Sequence, residues 1–270
     1  MAVFRSLTFD GINSLEYGVY ITGEAVYNAP KRAVEMVAIP GRNGDLAIDQ
    51  GRYENIEATY PAGIFADTQE EFAAKMRTFR NLLVSRYNYV RITDDYHPDE
   101  YRLGLYHAGL EVEPVAYSRA GEFNITFDCK PQRFLTSGEE PLNLYLEPEP
   151  WVDHNGTEIT DHHSEVFYFS KMGANIENPT ETESKPLIVV PKAGTIRIGN
   201  KNVTITGTTY PVYIDCESME VYTKSSSGAV SSASDRVSFV PNEFPTIPAG
   251  ETSFYTNIPT LQIIPKWWIL

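Results

Sequence analysis

The run Val34-Glu-Met-Val-Ala-Ile-Pro-Gly-Arg-Asn-Gly-Asp-Leu-Ala-Ile48 decides how the first half of this chain is read. Val34, Met36 and Ala38 share one face in a period of two, and Leu46 and Ile48 start a second alternating run, so two strands flank a turn. Asn43-Gly44 is a hairpin dipeptide, because the primed turns that match strand twist need positive φ at both central positions. Pro40-Gly41 adds a second kink. On these residues alone the stretch reads as a surface hairpin with a stiff neck.

Working outward, 270 residues with 42% hydrophobic composition can fill two ordinary cores. The opening Met1 to Asp10 alternates like a strand and lacks the basic start and apolar run of a signal peptide. The longest purely aliphatic run, Leu187 to Val190, is far short of the ~20 residues of a spanning helix, so a soluble chain is expected. Cys129 and Cys216 sit in separate alternating runs without metal or redox spacing, and read as buried thiols of a protein made in a reducing compartment. A net charge of -14, with 22 basic residues scattered among 36 acidic ones, argues against nucleic-acid affinity. Residues 1–135 carry net -5 and residues 136–270 net -9. The sequons at Asn124, Asn155 and Asn202 say little without a secretory route.

Along the chain, short strands are expected from Val3 to Val37, broken at Asp10-Gly11, Tyr17-Gly18 and Asn28-Ala-Pro30, followed by a half-buried strand from Asn55 that ends near Pro61. Asp67-Thr-Gln-Glu70 is a capping box opening a helix that ends near Arg86. Phe72, Met76, Phe79 and Leu83 make one apolar stripe on it, with Lys75, Arg77 and Arg80 off the stripe, so it lies against a sheet. Strands are then expected at Tyr89–Thr93, Tyr101–Val115 and Glu122–Cys129, the last with Phe123, Ile125, Phe127 and Cys129 on one face and stopped by Lys130-Pro131. A domain boundary falls near residue 135, with a polar loop from Thr136 to Pro141. Beyond it, polar loops surround a strand-like Glu165 to Lys171. Eight short runs at Leu187–Val190, Thr195–Ile198, Val203–Thr206, Val212–Asp215, Glu220–Thr223, Val237–Val240, Ser253–Thr256 and Leu261–Ile264 suggest a β-sandwich, and Ser225 to Ser234 a mobile hairpin loop.

No phosphate loop, nucleophile elbow or H-E-x-x-H run is present. Asp153-His154 with Asp161-His162-His163 could offer N and O ligands to a divalent metal, yet the spacing fits no metal motif and a solvated loop is the preferred reading. Asp94-Asp95 and Glu139-Glu140 read as solvated faces. Trp151, Trp267 and Trp268 could stack on sugars, but the run Ile263 to Leu270 reads better as an apolar anchor for the chain's last residues.

Phe9-Asp-Gly11, Ile39-Pro-Gly-Arg-Asn-Gly44, the capped helix, the strand Phe123 to Pro131 and Pro265-Lys-Trp-Trp268, taken in order, resemble the distal tail protein of long non-contractile-tailed bacteriophages or a prophage copy of it. The resemblance implies a mainly β chain: residues 1–135 a tail-tube-like, ring-forming domain of two sheets with one flanking helix, and residues 136–270 a galectin-like β-sandwich, with 265–270 anchored back on the fold. It implies a structural protein, not an enzyme, with no cofactor, catalytic residue or metal. Six copies would close into a ring between the tail tube and the tail-tip hub, with a bore for DNA. The expected partners are further copies of the chain, the tail-tube protein, the hub protein and a receptor-binding protein; the expected place is the virion tail tip, after synthesis in the host cytoplasm. Pro40, Gly41, Arg42, Asn43 and Gly44 become a ring or stacking contact. The rival readings are a carbohydrate-binding module for host attachment, for which no polar run around a Trp like a galectin sugar site is visible, and a metal-dependent hydrolase using the His154, His162 and His163 segment.

Overall fold

Tyr, Val and Ile at alternate positions favour pleated sheet, and the computed structural model of the protein is built of strands apart from one α-helix and three single 3-10 turns among its described residues. These are residues 4–23, 29–115, 119–146, 166–169, 174–207 and 209–270. Asn28, Trp151 and the cluster Asp153, His154, Asp161, His162 and His163 lie outside them. The chain divides into two units, Met1–Phe134 with Leu270, and Leu135–Ile269.

In the first unit, β1 (Leu7–Phe9) turns at Asp10-Gly11, both of positive φ, into β2 (Ile12–Asn13). A 3-10 turn, Ser14–Tyr17, is capped by Asn13 and closed by left-handed Gly18 before β3 (Val19–Ile21), so Tyr17-Gly18 ends a helical turn and does not simply separate two strands. β4 (Arg32–Val37) and β5 (Leu46–Tyr53) form a two-stranded sheet of their own. β6 (Ile56–Phe65), α1 (Gln69–Val84), β7 (Val90–Asp94), β8 (Glu100–Leu105), β9 (Val112–Val115) and β10 (Ala120–Leu135) follow. The main sheet runs β2-β1-β7-β8-β10-β6-β3, with β9 also on β10. Ile21 of β3 bridges back to Arg5, just ahead of β1, through Ile21 N donating to Arg5 O at 2.9 Å. That bridge joins the far end of the path to its beginning and curls the sheet into a barrel with few open edges.

Two prolines expected to end strands lie inside them. Pro61 sits within β6, opposite Asn124, and its carbonyl accepts from Thr22 N at 2.8 Å. N–H and C=O of a strand residue point the same way, so the missing N–H faces β3, whose pairing ends there at Ile21↔Ala62. By the same alternation the odd residues of β10 face β6, and the β6 pairing ends at Ile56↔Cys129, so Pro131 forfeits no bond and β10 continues to Leu135. The expected single strand Tyr101–Val115 is two, β8 and β9, separated by residues 106–111.

The helix cap is displaced by one residue from the Asp67 box. Thr68 is the N-cap, accepting from Glu71 N at 3.1 Å, and Glu71 reaches back to Asp67 N at 2.9 Å. The apolar stripe is as expected: Phe72, Met76, Phe79 and Leu83 are the buried residues of α1. They close one core with Leu7, Phe9, Tyr60, Ile64, Phe123, Ile125 and Phe127. Phe9 meets Phe79 edge-on at 6.0 Å, and Phe127 lies among Phe9, Tyr60 and Tyr106 at 5.7 to 6.4 Å. Asp94, expected in solvent, is half-buried with its carboxylate engaged: it accepts from Tyr60 Oη at 3.2 Å and from the main-chain N of Tyr96 and His97 at 2.9 and 3.0 Å, closing the turn that follows β7. Its neighbour Asp95 accepts from Ser6 N.

The second unit is the expected sandwich. One sheet joins β11 (Leu142–Leu146), β12 (Val166–Phe169), β14 (Leu187–Val190), β17 (Val212–Asp215), β18 (Glu220–Lys224), β19 (Val230–Ser232) and β22 (Thr260–Ile264) in the order β12-β11-β22-β14-β17-β18-β19. The other joins β13 (Ala174–Asn178), β15 (Gly194–Ile198), β16 (Lys201–Ile205), β20 (Val237–Val240) and β21 (Gly250–Thr256) as β13-β21-β15-β16-β20. All eight expected runs are strands, and Ile188, Val190, Ile196, Ile198, Val203, Val212, Ile214, Phe254 and Ile263 point into the shared core. Ser225 to Ser234 is less open than expected, since Lys224↔Val230 closes a hairpin and β19 pairs on β18. The anchor reading holds for the end of this unit. Trp267 is buried, its carbonyl accepts from Leu135 N at 2.9 Å, and its main chain lies where a Cβ on Gly138 would be. Trp268 donates its indole N–H to Glu183 O at 2.9 Å, before β23 (Trp268–Ile269) ends.

Candidate interaction ribbon

The stretch from Val34 to Ile48 forms a two-stranded ribbon that pairs with no other strand among the described residues, and its turn is made by the other dipeptide. Val37↔Leu46 is the last pair, which leaves residues 38–45 as the tip. Within the tip Arg42 N donates to Ile39 O at 3.1 Å and Gly41 has φ 80°. Proline at the second and a left-handed glycine at the third position of such a turn is the type II pattern. Asn43 has ordinary negative φ, so Asn43-Gly44 does not make the primed turn and the eight-residue tip is wider than a two-residue hairpin.

Pro40, Gly41, Arg42, Asn43 and Gly44 are thus brought together at the tip, all exposed. Arg42 has no carboxylate partner among the described residues. The strands behind the tip are exposed too: Val34, Met36, Ile39, Leu46 and Ile48 show from 37% to 60% of their surface. Directly paired residues share a face, which puts Val34, Met36, Ala47 and Asp49 on one side and Glu35, Val37, Leu46 and Ile48 on the other. An isolated two-stranded ribbon is marginal in water, and apolar groups exposed in a row on it favour association.

A polar staple holds the base. The register passes from Val34↔Asp49 to Arg32↔Tyr53, a bulge on the β5 side where Gly51 is left-handed. Arg32 donates Nε to Asp49 Oδ2 at 2.7 Å and lies over the Tyr53 ring at 5.5 Å, while Gly51 N donates to Asp49 Oδ1 at 2.9 Å. The Arg32 hydrogen bond, then the Gly51 N–H, hold the Asp49 carboxyl below its ordinary range. Beneath the staple Glu54 N donates to Lys31 O at 2.8 Å, so the chain enters and leaves the ribbon side by side.

Other chemistry is sparse. Among the described residues no group of three or more His, Cys, Asp or Glu is placed to hold a metal, and no helix is long and apolar enough to cross a membrane. Burial pushes both the Cys129 and the Cys216 thiol up to about 12, so neither is a nucleophile near neutral pH.

Residues 16–129 match the family model of the phage tail protein RIFT-related domain. Across 97% of the chain and 98% of its own, the Dit (gp 19.1) protein of phage SPP1, described as a paradigm of the hub adsorption apparatus of phages infecting Gram-positive hosts, has a similar fold with a TM-score of 0.69 at 11% identity. Two structures of the phage p2 baseplate in its activated conformation, with Sr and with Ca, each contain a chain that matches with a TM-score of 0.50 at 12% identity, again over 97% and 98% of the two chains. No curated protein matches in sequence. The solved structures establish likeness of fold, and the family model matches within the first unit. Residues 16–129 are therefore similar to the phage tail protein RIFT-related domain, within a chain that has the fold of a siphophage distal tail protein.

Proposed function

We propose that this phage tail protein is a ring-forming adaptor of the tail tip: copies of the chain, six by the resemblance, close into a ring between tail tube and hub, with a bore for DNA. The β4–β5 ribbon carries the reading. Val34, Met36, Leu46 and Ile48 are exposed and, among the described residues, neither strand pairs beyond its partner, so a single copy leaves them without the cover that strand edges ordinarily require. In this reading the ribbon engages neighbouring copies, with Pro40 to Gly44 as the ring or stacking contact. The fold shared with a protein described as an adsorption hub supports it.

The bore follows from charge. A basic lumen would bind phosphates by counterion release and retain DNA, whereas an acidic one lets it slide. With residues 1–135 at net -5, Asp and Glu are assigned to the bore and Arg42, Arg77 and Arg80 to contacts between copies or within the domain. The tube protein, the hub protein and a receptor-binding protein are the assigned neighbours, in a virion part made in the host cytoplasm. The role is structural, without catalysis, cofactor or sugar binding.

Reversing Arg42 to Glu tests this. The isolated protein should keep its stability within about 0.5 kcal/mol, since an exposed charge contributes little to its own domain. Ring closure or stacking on tails should fail, read by electron microscopy of assembled particles. Normal rings from Arg42→Glu would make the tip mere surface, and strict monomers beside purified tube and hub proteins would end the ring reading.

A further inference from the structure

We propose that an open cleft beside α1 is the seat for the β4–β5 ribbon of a second copy of this chain. The proposal rests on the ring reading and adds the surface that receives the ribbon. The cleft, about 370 Å³, has a floor of Phe72, Met76, Leu110 and Val112, and its helical rim carries Ala73, Arg77 and Arg80. Helical spacing explains the division. Phe72 and Met76 turn under into the core, while residues 73, 77 and 80 stack on the adjoining strip, three and four apart. Both guanidiniums are exposed, and neither has a carboxylate partner among the described residues.

An apolar trough rimmed by two unneutralised cations fits an apolar strand pair that carries a carboxylate. One face of the ribbon has that composition. Glu35 pairs with Ile48 and Val37 with Leu46, so an acid and three aliphatic side chains share a side. Glu35 is exposed and has no cationic partner among the described residues. The opposite face differs, since its carboxylate, Asp49, is already neutralised by Arg32. The occupied face is therefore the one with Glu35, with its carboxylate against Arg77 and Arg80.

A ribbon of one copy in the cleft of the next is a heterologous contact. Such contacts repeat head to tail and close into a ring when the rotation allows, whereas a self-complementary patch stops at a dimer. The proposal thus also accounts for why the chain would form rings rather than pairs.

The test uses the full chain with purified tube and hub proteins present. Ile48→Cys protein is mixed with Ala73→Cys protein under mild oxidation. The buried native thiols, at about 12, do not compete. A mixed disulfide forming faster than either homodimer is the expected result. In parallel, Glu35→Arg alone and the pair Arg77→Glu with Arg80→Glu should each weaken self-association roughly tenfold or more, and the three together should restore it, as reciprocal charge swaps do. These surface changes also cover the case in which a cysteine variant folds poorly. Rings that form without the mixed disulfide and without rescue would overturn the cleft assignment and leave the ring reading standing. Monomers under every condition would overturn both.

Discussion

β10 and the β4–β5 ribbon carry the same alternation of apolar and polar residues and end in opposite surroundings. Phe123, Ile125, Phe127 and Cys129 of β10 are no more than 6% exposed, whereas Met36 in the ribbon is 60% exposed. Both segments have strand period and strand composition. The difference lies in what stands next to them: β10 has β6 on one side, β8 and β9 on the other, and α1 against its apolar face, while β4 and β5 pair only with each other among the described residues. Alternation therefore specifies a strand, and the layers around it determine whether its apolar face is satisfied within the chain.

The contrast can be broken hardest from the buried side. Phe127→Ala removes a ring wedged among Phe9, Tyr60 and Tyr106, and should cost the barrel about 3–5 kcal/mol in a denaturant melt. A loss under 1 kcal/mol would mean that the first core is not packed as described. In the sandwich, Gly138→Ala places a methyl on the main chain of Trp267. It should destabilise that unit by about 1–3 kcal/mol, because backbone yields less readily than a side-chain tip; the Trp fluorescence of the melt reads it, and an unchanged midpoint would refute the close approach.

Met36→Asp is the ribbon's counterpart. It should alter the melt by no more than about 0.5 kcal/mol, while removing apolar surface available for association, so sedimentation of assembled rings should change far more than the melt. A large loss of monomer stability would show that the ribbon packs on its own barrel. The smallest effect is one of pH. The folded value of the Asp49 carboxyl lies below the ordinary one, so its contribution is present at and above the ordinary carboxylate range and is lost as pH falls through the lowered folded value. Amide exchange at Gly51, whose N–H it holds, should speed up there while the barrel amides stay protected. Protection at Gly51 that is independent of pH would remove Asp49 from the staple.

The periodic elements were legible in the sequence, since period is a local property: the stripe of α1, the inward face of β10 and eight sandwich strands could be read from residue spacing alone. Pro61 and Pro131 could not, because whether a missing N–H matters depends on where the neighbouring strand ends. The tip was misread for a related reason. Pro40-Gly41 and Asn43-Gly44 are both competent turn dipeptides, and the strand register, with Val37↔Leu46 as its last pair, allowed the wider tip in which Pro-Gly bends. Asp94 looked solvated because a carboxylate in turn-rich sequence usually is, and the hydroxyl that engages it comes from Tyr60, distant in the chain. The residues of the candidate contact were named from sequence. That their strands would also lie bare was not readable, since coverage depends on every other element.

Because Lys31 and Glu54 meet at the foot of the ribbon, the segment between them is, topologically, an insertion into an otherwise continuous barrel. A core residue such as Phe127 is held among rings of its own chain, whereas on the ring reading proposed above the ribbon's outward residues answer chiefly to what they touch in the assembled particle. Substitutions there should accumulate in step with a partner surface, largely independent of the barrel. The same property makes the segment a natural place for a cassette exchange between tails of different lineages, since a new ribbon can be spliced in at two adjoining points without asking the barrel to refold around it.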